Sequence, residues 1–293
     1  MERSVLITGA SGFLGSRLVD RVAATAGRVV CLGRRKPAAG AANVEFCPGD
    51  LLDRETCRRA LNGCDTVLHL AAATGKHPPA EYFRVNRDGT AMLLREARER
   101  GVERFLFVST IAARFENRFR YYYAESKREA EGLVRESGLK WTILRPTMIF
   151  GPGSPVEDGL RRLACLPVLP VFGDGRTQVQ PVFVEDAAKL IAEIVQSEGF
   201  DGRTIEIGGP EALTIEDLLL RLRRAAGVSN GRVAHLPVRA IAACLGVVEP
   251  VLRPLLPITA GQLASFMNPG DAKPEPSVAQ WTRGLRGVDD MLR

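Results

Sequence analysis

Short apolar runs alternate with longer amphipathic segments over the first three quarters of the chain. The apolar runs are typical of buried strands, and the amphipathic segments repeat apolar positions at helical spacing. This alternation predicts an α/β fold, in which a doubly wound parallel sheet carries helices on both faces. The predicted strands are Ser4–Thr8, Arg28–Leu32, Val44–Cys47, Thr66–Leu70, Arg104–Ser109, Trp141–Arg145 and Thr204–Ile207. The predicted helices are Gly12–Ala24, Asp53–Leu61, Val85–Arg100, Tyr122–Ser137, Val184–Gln196 and Ile215–Ala226.

Proline and glycine cluster after Arg145 and again beyond Gly208. Such clusters interrupt regular elements. We therefore predict a nucleotide-binding domain over residues 1–150 and 181–207, and a smaller substrate-binding lobe over residues 151–180 and 208–293. Both parts of the lobe follow the carboxyl ends of strands, where open α/β sheets bind ligands. The apolar residues within 151–180 favour a less polar substrate, or else form a small core of the lobe.

The most apolar late stretch, residues 236–260, contains four prolines and two arginines. Prolines interrupt helices and arginines are costly in a bilayer, so this stretch predicts no membrane span. It is interpreted as part of the substrate lobe, with a surface that lies on a membrane as the alternative.

The composition is that of an ordinary folded protein, with 45% hydrophobic and 25% charged residues. The net charge of +6 comes mostly from scattered arginines, which predicts a solvated basic surface and no nucleic-acid partner. The six cysteines form no C-x-x-C pair, and the three histidines lack metal-ligand spacing. These patterns predict free thiols in a reducing cytoplasm and no metal site. The first strand begins at once, so no signal peptide is expected.

A glycine turn follows the first predicted strand, with the spacing G-x-x-G-x-x-G. Gly9 allows a sharp turn, Gly12 lets a pyrophosphate approach the backbone, and Gly15 lets the next helix pack closely. The free N–H groups and the positive dipole end of that helix attract phosphates. The segment therefore predicts a dinucleotide site formed by Gly9, Ser11, Gly12, Phe13, Leu14 and Gly15.

Candidate catalytic side chains lie on the helix predicted over Tyr122–Ser137 and on the strand before it. Tyr123 and Lys127 are four residues apart, so they share one helix face. An ammonium near a phenol lowers the pKa of the phenol, which makes Tyr123 a candidate proton donor and acceptor. Ser109 and Thr110 bring hydroxyls to the ligand edge of the sheet, where they orient a substrate oxygen or only terminate the strand.

These motifs occur in order with Asp50-Leu51, His69-Leu70-Ala71-Ala72 and Val85-Asn86. The series resembles the short-chain dehydrogenase/reductase superfamily, in its extended branch of NAD-dependent epimerases and dehydratases. The resemblance implies a Rossmann fold that binds a nicotinamide cofactor. It further implies that Tyr123 is the catalytic acid/base, that Lys127 holds the nicotinamide ribose, and that Thr110 with Ser109 orients the substrate oxygen. By the same resemblance, the cofactor contacts Asp50, Leu51, Ala71, Ala72, Ala73, Asn86, Tyr123, Lys127 and Pro146.

Many members of this branch that bind NAD carry an acidic residue at the end of the second strand, which holds the ribose 2′-hydroxyl. Here that strand ends at Leu32-Gly33 and is followed by Arg34, Arg35 and Lys36. Guanidinium groups favour a 2′-phosphate. The sequence therefore predicts NADP(H) as the preferred cofactor, with NAD(H) as the alternative.

The residues before Pro181 bear on the substrate. Nucleotide-sugar enzymes of this branch usually bind the diphosphate with an arginine–aspartate pair. Here Val179 and Gln180 stand at those positions, and Arg176 lies three residues away from the position of the arginine.

Two other stretches bear on whether the protein is a catalyst. The stretches 180–186 and 255–263 resemble bacterial relatives of the nucleotide-binding accessory subunit of respiratory complex I. Many of those relatives bind NADPH without known turnover.

These features together predict an NADP(H)-dependent oxidoreductase or epimerase. It would act on a hydroxyl or carbonyl carbon of a small molecule, sugar-derived compounds included. The alternative is a non-catalytic NADPH-binding assembly or regulatory protein. The resemblance also implies a homodimer that pairs the helices Val85–Arg100 and Tyr122–Ser137.

Overall fold

The computed structural model describes residues 2–228, 231–252, 256, 259–273 and 275–293. Its strands are β1 Ser4–Thr8, β2 Arg28–Gly33, β3 Val44–Pro48, β4 Thr66–His69, β5 Arg104–Val108, β6 Lys140–Pro146, β7 Ile149–Phe150, β8 Val168–Phe172, β9 Gln178–Val179, β10 Val182–Phe183, β11 Arg203–Ile207, β12 Leu213–Thr214 and β13 Arg232–Leu236. Its helices are α1 Gly15–Ala23, α2 Arg54–Ala60, α3 Pro79–Tyr82, α4 Gly89–Glu99, α5 Tyr122–Arg135, α6 Pro155–Ala164, α7 Val184–Gln196, α8 Ile215–Ala225, α9 Val238–Leu252 and α10 Val288–Met291.

The central sheet has seven strands in the order β11-β6-β5-β4-β1-β2-β3, and all neighbouring pairs are parallel. The chain moves outward from β1 in one direction through β2 and β3, and in the other through β4, β5 and β6. The carboxyl ends of β1 and β4 therefore flank the topological switch point, where open α/β sheets bind their ligands. This topology confirms the predicted doubly wound fold.

Helices cover both faces of the sheet because its strands are apolar on both sides. Val5 and Ile7 of β1 join a cluster with α1 and α7, while Leu6 joins another with α2, α4 and α5. A third cluster contains residues of α6, β8, α8 and α9 and forms a smaller lobe. Val278 and Trp281, which lie within the range predicted for the lobe, pack against the cluster of the sheet.

Two predicted helices begin three or more residues away from their position in the structure. The first begins at Gly15 rather than at Gly12, because the preceding residues form a turn closed by the Gly12 N–H and the Gly9 carbonyl, 3.0 Å apart. The helix predicted over Val85–Arg100 starts earlier, as α3, and passes through the π-helical turn Phe83–Asp88 before it becomes α4.

No helix in the described ranges has the length and apolar character needed to cross a bilayer. All six cysteines are free, and Cys165 and Cys244 are exposed. Of the stretch 255–263 that carries one of the resemblances, Leu255, Pro257 and Ile258 lie outside the described residues.

Candidate functional site

The glycine turn packs tightly against the loop after β4. Gly9 has a φ of +73°, and a Cβ built there would lie 2.7 Å from the Ala71 nitrogen. A Cβ on Gly15 would lie 2.1 Å from the Gly9 carbonyl oxygen. Gly12 is exposed, and no side chain caps the N-terminus of α1. The Gly12 N–H is bonded to the Gly9 carbonyl, whereas those of Ser11, Phe13 and Leu14 have no backbone partner among the described residues. These three groups can meet the pyrophosphate of a dinucleotide.

Replacing Gly9 by alanine is expected to destabilise the protein and to weaken cofactor binding. The new methyl group collides with the backbone at Ala71 and sits on a left-handed residue, so a loss of about 2–4 kcal/mol is expected. Thermal unfolding and a fluorescence titration with NADPH measure both effects. Gly40→Ala is the matched control, because a Cβ at Gly40 meets nothing within 4 Å. Unchanged melting and affinity in Gly9→Ala would contradict the tight packing of the turn.

The cations predicted to select the cofactor follow β2 directly. Arg34 and Arg35 are exposed, and neither forms an ion pair with a described residue. Gly33 ends the strand, so no carboxylate of this segment faces a ribose 2′-hydroxyl. Both guanidinium groups are free to meet a phosphate at this edge of the sheet.

The loop after β4 is held by Asn86, which lies in the π-helical turn. Its Oδ1 accepts the Ala73 N–H at 2.7 Å, and its Nδ2 donates to the Ser126 hydroxyl at 2.9 Å. Ser126 in turn donates to the carbonyl of Tyr123 at 2.8 Å. π-helical turns often occur at functional sites. Asn86 here ties the loop beside the switch point to the helix that carries Tyr123 and Lys127.

Tyr123, on α5, and Thr110, which follows β5, lie beside each other at the carboxyl edge of the sheet. The centre of the Tyr123 ring is 6.1 Å from that of Tyr121 and 6.4 Å from that of Tyr82. Burial and the neighbouring phenol of Tyr121 raise the pKa of Tyr123 above its ordinary value, although the nearby Thr110 hydroxyl acts in the opposite direction.

Lys127 is buried beneath Tyr123. Its Nζ donates to the carbonyl of Val108 at 2.8 Å and lies 3.9 Å from the centre of the Phe107 ring. Burial lowers the pKa of the ammonium to about 7, although the charge of Glu131 opposes this change. The pKa of Tyr123 is raised in this structure, contrary to the lowering expected from its spacing with Lys127, because burial has the largest effect on the phenol.

Replacing Lys127 by methionine is expected to stabilise the fold by roughly 1–3 kcal/mol, after the lost bond to Val108 is deducted. The folded protein binds the lysine proton more weakly than the unfolded chain does, since burial lowers the pKa from 10.5 to about 7. This penalty is complete below about pH 7 and disappears as the pH rises towards the ordinary lysine pKa. Melting temperatures should therefore rise more at about pH 6 than at about pH 10.

The control for this substitution is Lys140→Met, because the Lys140 side chain is 61% exposed. Its melting temperature should stay near that of the wild type at both pH values. A lower melting temperature of Lys127→Met at both pH values would show instead that the buried amine stabilises the fold.

Glu131 is a buried carboxylate on the same face of α5 as Tyr123 and Lys127. Glu131 binds Arg145 through two hydrogen bonds of 2.8 and 2.6 Å and Arg135 through one of 2.9 Å. Burial alone would raise the pKa of the Glu131 carboxyl, but Arg145 holds it below its ordinary value. The Ser109 hydroxyl is buried beside Glu131 and makes no bond of good geometry. Sequence reasoning missed Glu131, although its spacing from Lys127 repeats the four-residue interval.

The structural role of His69, the last residue of β4, is also not predicted from the sequence. Its Nδ1 lies 2.6 Å from the Thr8 hydroxyl and its Nε2 lies 2.9 Å from the Thr90 hydroxyl. The Thr90 hydroxyl already donates to the carbonyl of Asn86, so it accepts from Nε2. Complete burial lowers the pKa of the imidazole to about 3. The ring is therefore neutral and joins β1, β4 and α4 below the cofactor edge.

The structure places the predicted residues around one edge of the sheet. The residues Gly9, Ser11, Gly12, Phe13, Leu14 and Gly15 follow β1, and Arg34 with Arg35 follows β2. Asp50 and Leu51 follow β3, Ala71, Ala72 and Ala73 follow β4, Ser109 and Thr110 follow β5, and Pro146 ends β6. The Ser109 hydroxyl points inward to Glu131, whereas Thr110 reaches Tyr123. Thr110 is thus the hydroxyl that shares the cleft with the phenol.

Comparison with known proteins gives a family match over most of the chain. The sequence profile of the NAD dependent epimerase/dehydratase family matches residues 5–208. A ceramide reductase of Caulobacter vibrioides is 38% identical over 193 residues, which are 64% of this chain and 60% of that protein. The chain spans only 23% of the length of the uncharacterized mycobacterial proteins that it also matches, at 29% identity.

Two further reductases are similar in sequence. A (4-alkanoyl-5-oxo-2,5-dihydrofuran-3-yl)methyl phosphate reductase of Streptomyces griseus is 30% identical over 225 residues, covering 76% of this chain and 74% of that protein. A 2-alkyl-3-oxoalkanoate reductase of Shewanella oneidensis is 29% identical over 210 residues, covering 62% and 54%.

Solved structures share the fold. The crystal structure of gox2253 covers 99% of this chain and 96% of its own, with a TM-score of 0.76 and 24% identity. A dTDP-glucose 4,6-dehydratase from Streptomyces venezuelae, solved with NAD and TYD bound, has a TM-score of 0.67 and 25% identity. It covers 80% of this chain and 84% of its own.

Proposed function

Because the chain belongs to the NAD dependent epimerase/dehydratase family, we propose that this NAD(P)-dependent enzyme is an NADP(H)-dependent reductase. The proposed substrates are carbonyl compounds that carry alkyl chains. The observation that carries the proposal is that the Thr110 hydroxyl lies beside the Tyr123 phenol, on the helix that also carries the buried Lys127. This group stands at the carboxyl edge of the sheet, beside a glycine turn that fits a dinucleotide.

The side chains around Tyr123 can move one proton at a substrate oxygen. When bound, a nicotinamide cofactor supplies the hydride that reduces the carbonyl carbon. The Tyr123 phenol gives its proton to the carbonyl oxygen, which becomes a hydroxyl. Thr110 donates a hydrogen bond that positions and polarises the same oxygen. The Lys127 amine donates one N–H to the Val108 carbonyl and supplies its other N–H groups to the cofactor ribose.

NADP(H) is proposed over NAD(H) because of the charges after β2. Arg34 and Arg35 are exposed, and neither forms an ion pair with a described residue. A dianionic 2′-phosphate gains charge-assisted hydrogen bonds from such groups, whereas a ribose 2′-hydroxyl gains much less.

The alkyl character of the substrate is proposed from the surroundings of Tyr123. Tyr82 and Tyr121 form an aromatic wall beside it, which suits apolar groups. The two positions at which nucleotide-sugar enzymes carry their arginine–aspartate pair hold Val179 and Gln180 here. Val179 is fully buried, and Gln180 binds the Gly209 carbonyl and the Ala272 N–H, so neither is available to bind a diphosphate. The similar reductases act, by their names, on ceramide, on alkyl oxoalkanoates and on an alkanoyl compound.

The test of this proposal is an NADPH-consumption assay with a series of 3-oxoalkanoate esters of increasing chain length. We expect kcat/KM to rise with chain length, because each buried methylene adds about 0.8 kcal/mol. UDP-glucose is the contrasting compound. Interconversion of UDP-sugars without net NADPH consumption would replace the reductase with an epimerase, as the family also allows.

We also propose that the protein is a homodimer through α4 and α5. Leu94 of α4 and Leu133 of α5 border a shallow groove between the two helices, with Ala91 beside them. A second copy that places its own α4 and α5 there would bury these residues. Size-exclusion chromatography with light scattering should give twice the chain mass, and Leu133→Arg should reduce it to one chain.

A further inference from the structure

The outward side of α9 is apolar. Val247 is 79% exposed, the largest value of any large hydrophobic residue in the described chain. The other exposed positions repeat at helical spacing and are Arg239, Ala240, Ala243, Cys244 and Val248. The opposite side of the helix packs into the lobe core through Ala242 and Leu245. Helices of water-soluble proteins present polar residues outward, so this helix has a face that suits a non-aqueous neighbour.

Phe119 and Arg120 extend this face from the loop before α5. Phe119 is 51% exposed, and a Cβ built on Gly246 of α9 would lie 3.4 Å from its ring. Arg120 has a φ of +54°, and its guanidinium lies 5.6 Å from the centre of the Phe119 ring. Left-handed backbone is costly for arginine and persists only where the surroundings impose it. The packing of Gly261 against the Arg120 backbone supplies that constraint, so the Phe119 side chain is held outward.

The charges at the border of this face are positive. Arg239 is the second residue of α9 and Arg120 lies beside Phe119, and neither forms an ion pair with a described residue. The one acidic residue of α9, Glu249, is buried and accepts the Ala260 N–H. Apolar residues bordered by cations are the composition of helices that lie in the surface of an anionic bilayer.

We propose that the outer face of α9, together with Phe119 and Arg120, docks on an anionic lipid bilayer. Val247, Val248 and Phe119 would enter the boundary of the acyl chains, while Arg120 and Arg239 meet lipid phosphates. A second copy of the chain fits this face less well, because a two-fold contact would bring the same arginines towards each other. The docked face continues into the cleft, since Tyr121 follows Arg120 and its ring lies 6.1 Å from that of Tyr123.

Vesicle flotation tests this proposal without cofactor or turnover, so its failure is distinct from a failure of the proposed reductase activity. We expect binding to phosphatidylcholine vesicles that contain roughly 30% phosphatidylglycerol, weaker binding at high salt, and little binding to phosphatidylcholine alone. Val247→Asp should weaken binding about tenfold or more, because a carboxylate must then enter the apolar boundary. Arg120→Gln with Arg239→Gln should weaken binding to the anionic vesicles only.

The matched control is Val156→Asp on α6, a valine that is 47% exposed outside this face. It should bind vesicles like the wild type, and both aspartate variants should keep the wild-type melting temperature. Equal vesicle binding by Val247→Asp and the wild type would overturn the proposal. So would a wild type that ignores anionic vesicles but forms dimers that Val247→Asp separates, since the occupant would then be a second copy.

Discussion

Exchange of Tyr123 for phenylalanine is expected to lower turnover about 10³-fold, the usual contribution of a positioned proton donor. NADPH affinity should change by less than about threefold, because the substitution removes one hydroxyl and keeps the ring. The ring contacts with Tyr82 and Tyr121 are preserved. Steady-state kcat with the best alkyl ketone and a fluorescence titration with NADPH measure the two quantities.

Tyr122→Phe is the matched control, because Tyr122 is the next residue towards the start of the same helix. It makes no aromatic contact with a described residue and is not hydrogen-bonded to Thr110. Its kcat should stay within about twofold of the wild type. Full activity in Tyr123→Phe would show that another group carries the proton, and a loss of activity in Thr110→Val would then assign it to the Thr110 hydroxyl.

Exchange of Arg34 and Arg35 for glutamate is expected to invert the cofactor preference. Each hydrogen bond from a guanidinium to a phosphate contributes about 1.5–3 kcal/mol, so the double variant should bind NADPH at least about 100-fold more weakly. A carboxylate at this position also accepts a hydrogen bond from the ribose 2′-hydroxyl. NADH affinity should therefore rise, and the ratio of the two dissociation constants should reverse.

A control with the same change of charge separates local from general electrostatics. Arg98 and Arg100 are exposed at the end of α4, and neither has an ion pair within the described chain. The variant Arg98→Glu with Arg100→Glu should bind NADPH and NADH like the wild type at physiological salt. Equal losses of NADPH affinity in the two double variants would mean that the net charge, and not Arg34 and Arg35, attracts the cofactor.

The fold and the cofactor edge followed from local patterns. The apolar runs predict β1 to β6 and β11, and the alternation of these strands with helices predicts that the sheet is parallel. The glycine turn can be predicted from the sequence because its three glycines are required by close contacts, most of them within the same fifteen residues and the rest with the loop after β4. Gly9 and Gly15 are needed where a Cβ would strike the backbone.

Other parts of the site depend on contacts between distant segments and could not be predicted. No sequence pattern predicts the π-helical turn, yet this turn places the Asn86 side chain within hydrogen-bonding distance of the Ala73 N–H. The ion pair between Glu131 and Arg145 needs α5 and β6 to be placed together first. The pKa of Tyr123 is raised first by burial and then by Tyr121, and no local pattern fixes either, so the spacing from Lys127 alone gives the wrong direction.

The imidazole of His69 has a consequence for how this protein can be studied. Both ring nitrogens are occupied by threonine hydroxyls, and the ring takes up a proton only near pH 3. Histidine is the side chain that most often changes its protonation near neutral pH, but His69 does not do so here. The Lys127 amine, with a pKa of about 7, is left as the group beside Tyr123 that titrates there. An inflection of a rate profile near neutral pH is therefore expected from the Lys127 amine rather than from His69.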